Sequence, residues 1–292
     1  MKTIFSLLAA LLFMQAANCQ ADLFGLARNP APVLNSPDFA TIFGGKNGSS
    51  LKTDRCGQVQ ELEYIALPGA VFKIMGELKR GSHTIYRVET EEYQAPAGIS
   101  LYVDSRFLEP QSTPLPPRKI TLPAREQLLM TLTDSVGSPY IWGGNVKNGV
   151  PELLDYFYRK VTDSDRGRLT LAGLDCSGLL YNATSGWTPR NTSQLIFFGQ
   201  PVAIEGRDAA AIAGLLKPLD LIVWNGHVLI AMDKERVIES RLDCGKPGNG
   251  GVIITPLRQR LEEIMRTRKP LNTWPADEKK RNAFVVRRWY GL

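Results

Sequence analysis

The stretch LDCSGLLYNATSGW, beginning at Leu174, sets a cysteine between an aspartate and a Ser-Gly pair where an apolar helix can start. Asp175 suits a helix cap, and Cys176 then sits at the positive end of the helix, which favours a thiolate over a thiol. A thiolate beside an imidazole attacks carbonyl carbon, whereas a thiol deep in an apolar core is inert. The chain holds two histidines, His83 and His227. His83 falls in the polar turn ELKRGSH of a strand-rich region, so His227, within PLDLIVWNGHVLIAMD, is the base candidate of the larger half. That run and RVIESR read as two consecutive strands joined by a DKE turn, with Glu239 on the second able to orient an imidazole. Singly, Cys176 can be a small core residue, His227 a satisfied interior histidine and Glu239 a solvated strand residue. Together they supply the nucleophile, base and orienter that acyl transfer requires.

The elements that must position these residues follow from the rest of the chain. With 292 residues, 43% hydrophobic and 22% charged, it can fill one large or two modest cores, and two domains are expected. Its 35 Lys and Arg against 29 Asp and Glu give a net +6, yet the charges are interspersed. No Walker loop, RNA-binding aromatic-basic motif or zinc-spaced Cys/His set occurs, so no nucleic-acid partner, metal or organic cofactor is expected. Residues 1–21, with Lys2 ahead of the apolar run Ile4 to Met14 and the small QAANCQA, read as an export signal cleaved near Asp22, leaving no membrane span after its removal. A lipid anchor at Cys19 is the second reading, against which Ala16 and Asn18 fit a lipoprotein box poorly. Residues 22–50, rich in Gly, Pro, Asn and Ser, read as a connecting arm. Residues 51–110 carry AVFKIM, TIYRVET and ISLYVDSRF between turns, a pattern suited to a small barrel. Residues 111–123 form a proline-stiffened linker, and residues 124–292 hold the chemistry. There PAREQLLMTLTDSVG and RLEEIMRTRK read as amphipathic helices and NAFVVRRWYGL as a closing strand, the last two without a catalytic role. Without Cys19 the chain keeps Cys56, Cys176 and Cys244, so at least one thiol is unpaired. If that thiol is Cys176, Cys56 and Cys244 can pair in an oxidising compartment; the sequence does not supply the Cα separation a disulfide needs, and independent thiols are the preferred reading.

The segments PYIWGGN, LDCSGLLY, PRNTSQL, LKPLDLIVW, GHVLIAMD and VIES occur in the order and context of the NlpC/P60 cysteine peptidases, which residues 124–292 resemble. Upstream, LPGAVFKIMGELKRG, IYRVET and LYVDSRFLEP resemble a bacterial SH3-like domain. The resemblance implies an α+β chain: a papain-like catalytic domain, its cysteine helix packed on an antiparallel sheet bearing the histidine, preceded by a small all-β SH3-like barrel. It implies Cys176 as nucleophile, His227 as general base and Glu239 in the third position, where a histidine or another polar group is usual. Tyr140 and Trp142 match groove-lining aromatics, with the Tyr140 hydroxyl near the developing oxyanion, and Asp175, Ser177, Asn191 and Thr192 match substrate-binding positions. The implied substrate is a peptidoglycan stem peptide in the bacterial periplasm, cut between γ-D-Glu and a diamino acid such as diaminopimelate. A catalytically silent wall-binding or scaffold protein, and an amidase or acyltransferase using the same Cys-His pair, are the alternatives. Relatives that require a free N-terminal L-Ala carry Arg-Asp-Ser where this chain has Arg190, Asn191 and Thr192, so recognition of a free amine is expected to weaken unless Asp175 or the barrel supplies the acid. The 146–173 connection is longer than the family's and reads as a helical cover, a partner contact or a solvated insertion.

Overall fold

The computed structural model describes residues 23–246, 249–276 and 282–291; the segment read as an export signal, with Cys19, lies outside them. Seven strands form the first sheet: β1 (Leu23–Ala27), β2 (Ala31–Leu34), β3 (Leu62–Ala66), β4 (Val71–Arg80), β5 (His83–Glu89), β6 (Leu101–Asp104) and β7 (Leu108–Gln111). Their order is β3-β2-β6-β5-β4-β1-β7, with every pairing antiparallel.

The first sheet corrects three expectations. The 22–50 segment is not a connecting arm, because its apolar runs LFGLA and APVL pair into the sheet and fully bury Ala27, Ala31, Val33 and Leu34. Nor do the strands close into a barrel: among the described residues the end strands β3 and β7 do not pair with each other. The open edge of β3 is met instead by the Asn145 side chain, which accepts the Ile65 N–H at 2.9 Å and donates to the Ile65 carbonyl at 2.7 Å, much as a neighbouring strand would. Finally, ELKR is strand rather than turn. Arg80 pairs with His83 across Gly81 and Ser82, so His83 opens β5 and stacks its ring on Phe157.

Residues 112–124 have no regular structure, and Arg118 pins them between Glu92 and the Ser185 carbonyl. Beyond them come α1 (Arg125–Asp134), α2 (Glu152–Phe157), α3 (Asp163–Leu169), α4 (Cys176–Ala183), α5 (Ala209–Leu215), β8 (Leu221–Trp224), β9 (His227–Ala231), β10 (Arg236–Leu242), β11 (Gly250–Pro256), α6 (Leu257–Met265) and β12 (Ala283–Arg288). The strands lie in the antiparallel order β12-β8-β9-β10-β11. Alternation along them fills both faces. Val223, Val228, Ile230 and Val285 pack with Leu128 and Leu132 of α1 and Leu179, Leu180 and Ala183 of α4. Ile222, Leu229, Phe284 and Val286 pack with Ile212 of α5 and Leu257 and Leu261 of α6. The run expected as one strand through Trp224 and His227 is a hairpin: these two residues pair across Asn225 and Gly226, and Gly226 takes a φ of 102° that glycine adopts without a Cβ clash.

Besides hydrogen bonds such as those of Asn145, a shared apolar core and a disulfide hold the halves together. The 146–173 segment is neither a groove cover nor a solvated insertion, since Val150, Leu153, Phe157, Leu169 and Leu171 share a core with Phe39, Ile42 and Phe43 of the first half. The Phe157 ring lies 5.5 Å from that of Phe43, and the Arg106 guanidinium sits 4.5 Å over the Tyr156 ring. Cys56 and Cys244 form a disulfide with Cα atoms 5.1 Å apart, against the preferred reading as independent thiols. Tertiary packing brings a turn before β3 to the loop between β10 and β11, where Asn249 also donates to the Cys56 carbonyl at 2.9 Å. No helix among the described residues is long and apolar enough to cross a membrane.

Candidate active site

Asp175 caps α4, its Oδ1 accepting the Gly178 N–H at 2.6 Å, so Cys176 is the first helical residue. The helix start lies tight against the loop before it: a Cβ on Gly178 would strike the Gly144 carbonyl oxygen, which only glycine avoids. Buried Arg190 fixes this corner. Its guanidinium forks onto both Asp175 oxygens at 2.6 and 3.0 Å and donates to Ser177 Oγ at 2.8 Å and Asn145 Oδ1 at 3.2 Å. Asp175 and Ser177 are therefore committed to the frame around Cys176, and Asn145 ties that frame to β3 of the first sheet.

His227 opens β9, and fully buried Glu239 lies on the adjacent β10. The His227 Nε2–H donates to Glu239 Oε2 at 2.7 Å, which leaves Nδ1 for the Cys176 thiol; the Cys176 Sγ lies 3.9 Å from the Gly226 carbonyl. Burial works against the imidazolium, but hydrogen bonding to Cys176 and Glu239 outweighs it and raises His227 from 6.5 to about 9. Burial likewise favours a neutral Glu239, yet hydrogen bonds from His227 and Arg260 hold its carboxyl down at about 2. Arg260 comes from α6, a helix given no catalytic role on sequence grounds; its Nε reaches Glu239 Oε1 at 2.6 Å and its Nη2 reaches Oε2 at 3.0 Å.

The Cys176 side of this array opens into a cleft of about 400 Å³ between the two halves of the molecule. Tyr140, Trp142, Cys176, Asn191 and Thr192 line it from the second half, and Asn35, Gln60, Glu63 and Tyr93 from the first. Burial, reinforced by Asp175 and Cys176, pushes the Tyr140 phenol far up, so it stays an O–H donor. Trp142 is 43% exposed and lines the cleft rather than the core, with its backbone N–H fixed on Gln58 Oε1 at 2.8 Å. Asn191 donates to the Gln94 carbonyl at 3.1 Å, and Thr192 Oγ1 accepts the Gly226 N–H at 3.0 Å, steadying the hairpin tip beside Cys176.

Four residues of the site, Glu63, Tyr93, Arg190 and Arg260, have no role in the reading of the sequence. Glu63 accepts from Asn35 Nδ2 at 2.8 Å and from the Tyr93 hydroxyl at 2.7 Å while facing the cleft. A charged residue inside the otherwise apolar strand LEYIA is the signal that marks it. Arg190 stands in the quoted PRNTSQL motif without an assigned task, and nothing local separates Arg260 from the other basic residues of its helix. Among the described residues no group of three or more His, Cys, Asp or Glu could hold a metal ion.

No family model and no curated protein matches the chain. Among solved structures it is similar to an NlpC/P60 family protein from Bacillus cereus, at 18% identity and a TM-score of 0.34 over 92% of this chain; the match spans 64% of that protein's length. It is also similar to RipD from Mycobacterium tuberculosis, a non-catalytic NlpC/P60 domain protein adapted to peptidoglycan binding, at 20% identity and a TM-score of 0.30 over 45% of this chain and 86% of that one. NlpC2 from Trichomonas vaginalis is similar at 13% identity and a TM-score of 0.33 over 93% of this chain and 74% of that one.

Proposed function

We propose that this chain is an envelope cysteine peptidase of the NlpC/P60 type that hydrolyses peptidoglycan stem peptides at the bond between γ-D-Glu and a diamino acid. The observation that carries the chemistry is His227, held by buried Glu239 at 2.7 Å beside a cysteine at a helix start that opens on a cleft. The substrate class rests on the resemblance of the motifs around Cys176 and His227. In the reaction the Cys176 proton passes to His227 Nδ1, and the thiolate attacks the γ-glutamyl carbonyl. The Cys176 N–H and the Tyr140 hydroxyl stabilise the oxyanion. The imidazolium then protonates the departing amine, and water activated by the same imidazole hydrolyses the thioester.

The cleft also bears on which end of the peptide is read. Asn191 lacks the acid of the Arg-Asp-Ser relatives, and both Asp175 oxygens are occupied by Arg190. Glu63 is held by neutral donors, the Asn35 amide and the Tyr93 hydroxyl, rather than by a cation, so its charge is the one left to meet an N-terminal ammonium in the cleft. In this reading free-amine recognition is retained rather than weakened. Comparing kcat/KM for an L-Ala-γ-D-Glu-diamino acid peptide with and without N-terminal acetylation tests it. The parent should favour the free amine by about tenfold or more, the scale of one hydrogen bond to a charged group, and Glu63→Gln should erase the preference. Equal rates on the two peptides in the parent would overturn the assignment.

A further inference from the structure

We infer that Arg260 is a positioning residue of this site, acting on the Cys176–His227 pair through Glu239. The inference rests on the Cys-His reading above but not on the substrate assigned there. Glu239 is fully buried, and its two oxygens are shared out by the Arg260 fork: Oε1 takes Nε at 2.6 Å, while Oε2 takes Nη2 at 3.0 Å together with His227 Nε2 at 2.7 Å. A carboxylate at this depth held by the imidazole alone is free to turn about its terminal bond or to take up a proton. The planar fork opposes both, because it fixes the carboxylate plane at two points and supplies a permanent cation.

Arg260 is itself held in place. Its Nη1 donates to Glu263 Oε2 at 3.0 Å, and the helix is anchored by buried Leu257, Leu261 and Ile264. The charged or titratable groups facing Glu239 are His227 from β9, with Cys176 of α4 beyond it, and Arg260 with Glu263 from α6. On its own strand, Arg241 Nη1 lies 3.9 Å away and Arg241 Nε 3.6 Å from Asp243. Across the ladder, β11 presents Ile253. Removing the Arg260 cation makes the buried carboxylate easier to protonate, so the orienting anion is lost at a higher pH.

Alkylation of Cys176 by iodoacetamide, followed against pH by mass of the Cys176 peptide in the full chain with its disulfide intact, reads the thiol-imidazole pair without any substrate. Arg260→Gln is expected to slow alkylation by about tenfold, the scale of a lost hydrogen bond to a charged group, and to move the acid limb of the profile to higher pH. Arg260→Lys keeps the charge without the fork, so it should hold the limb in place while recovering only part of the rate. Glu239→Gln should also slow the reaction, and adding Arg260→Gln to it should change nothing further, because the arginine works through that carboxylate. Parent-like alkylation in Arg260→Gln, or a second loss of equal size in the Glu239→Gln background, overturns the role. Should melting curves show Arg260→Gln unfolded, Arg260→Lys decides alone, and a parent-like rate there overturns it. A parent whose Cys176 is inert to the reagent at every pH removes the thiolate reading itself, whereas normal alkylation without peptide cleavage removes only the substrate.

Discussion

Glu239 can serve in the third position because two partners offset the loss of water around its charge. An isolated buried carboxylate would neutralise, and a neutral acid would no longer stabilise the imidazolium. Since the array holds His227 at about 9, the alkaline limb of kcat/KM should fall near that pH, and Glu239→Gln should draw it down toward the ordinary 6.5 while leaving residual turnover. An unmoved limb in that variant would remove Glu239 from the site. The same shift has a stability counterpart of fixed sign: its contribution is complete below pH 6.5 and is lost as pH rises to about 9. At this scale Cys176 and His227 were legible because an Asp-Cys-Ser-Gly cap pattern and a single histidine in the larger half leave few candidates. Arg260 was not, because an arginine on an amphipathic helix looks alike whether it meets solvent or reaches a buried carboxylate.

At the level of elements, the Cys176 helix is placed by its buried apolar residues Leu179, Leu180 and Ala183 and, at its start, by a buried ion pair. Arg190 and Asp175 satisfy each other inside the protein, so removing one strands the other as an uncompensated charge. Arg190→Met should therefore destabilise the fold by about 3–5 kcal/mol, measured as a lowered denaturation midpoint in urea at unchanged slope. A loss below about 1 kcal/mol would show that the pair is not what holds the helix start. The helix itself was readable from its cap and apolar run. The break at Asn225 and Gly226 was carried by a turn dipeptide, outweighed in the sequence reading by the continuous hydrophobicity on either side. The Asn145 amide that closes the edge of β3 joins residues 80 positions apart, which no local pattern encodes.

For the whole molecule, the cleft lies between two halves that are joined by the disulfide, by the aromatic core of the 146–173 segment and by hydrogen bonds such as that of Asn145 to Ile65. Replacing both Cys56 and Cys244 with serine should cost about 2–5 kcal/mol, read as a lower melting temperature without loss of the Cys-His pair. An unchanged melting temperature would mean that the apolar clamp alone suffices. The strand-rich first half and mixed second half were legible from hydrophobic period and proline punctuation. Their mutual packing was not, because a disulfide spanning 188 residues and a core shared by Phe39, Phe43 and Phe157 are settled only by the folded chain. The proposed function turns on covalent catalysis by Cys176 on a stem peptide. The most direct test is mass analysis of a defined L-Ala-γ-D-Glu-diamino acid peptide incubated with the parent and with folded Cys176→Ala. The parent should release the free diamino acid and the variant should leave the peptide intact; an intact peptide with the parent, or equal cleavage by both, would overturn covalent catalysis by Cys176.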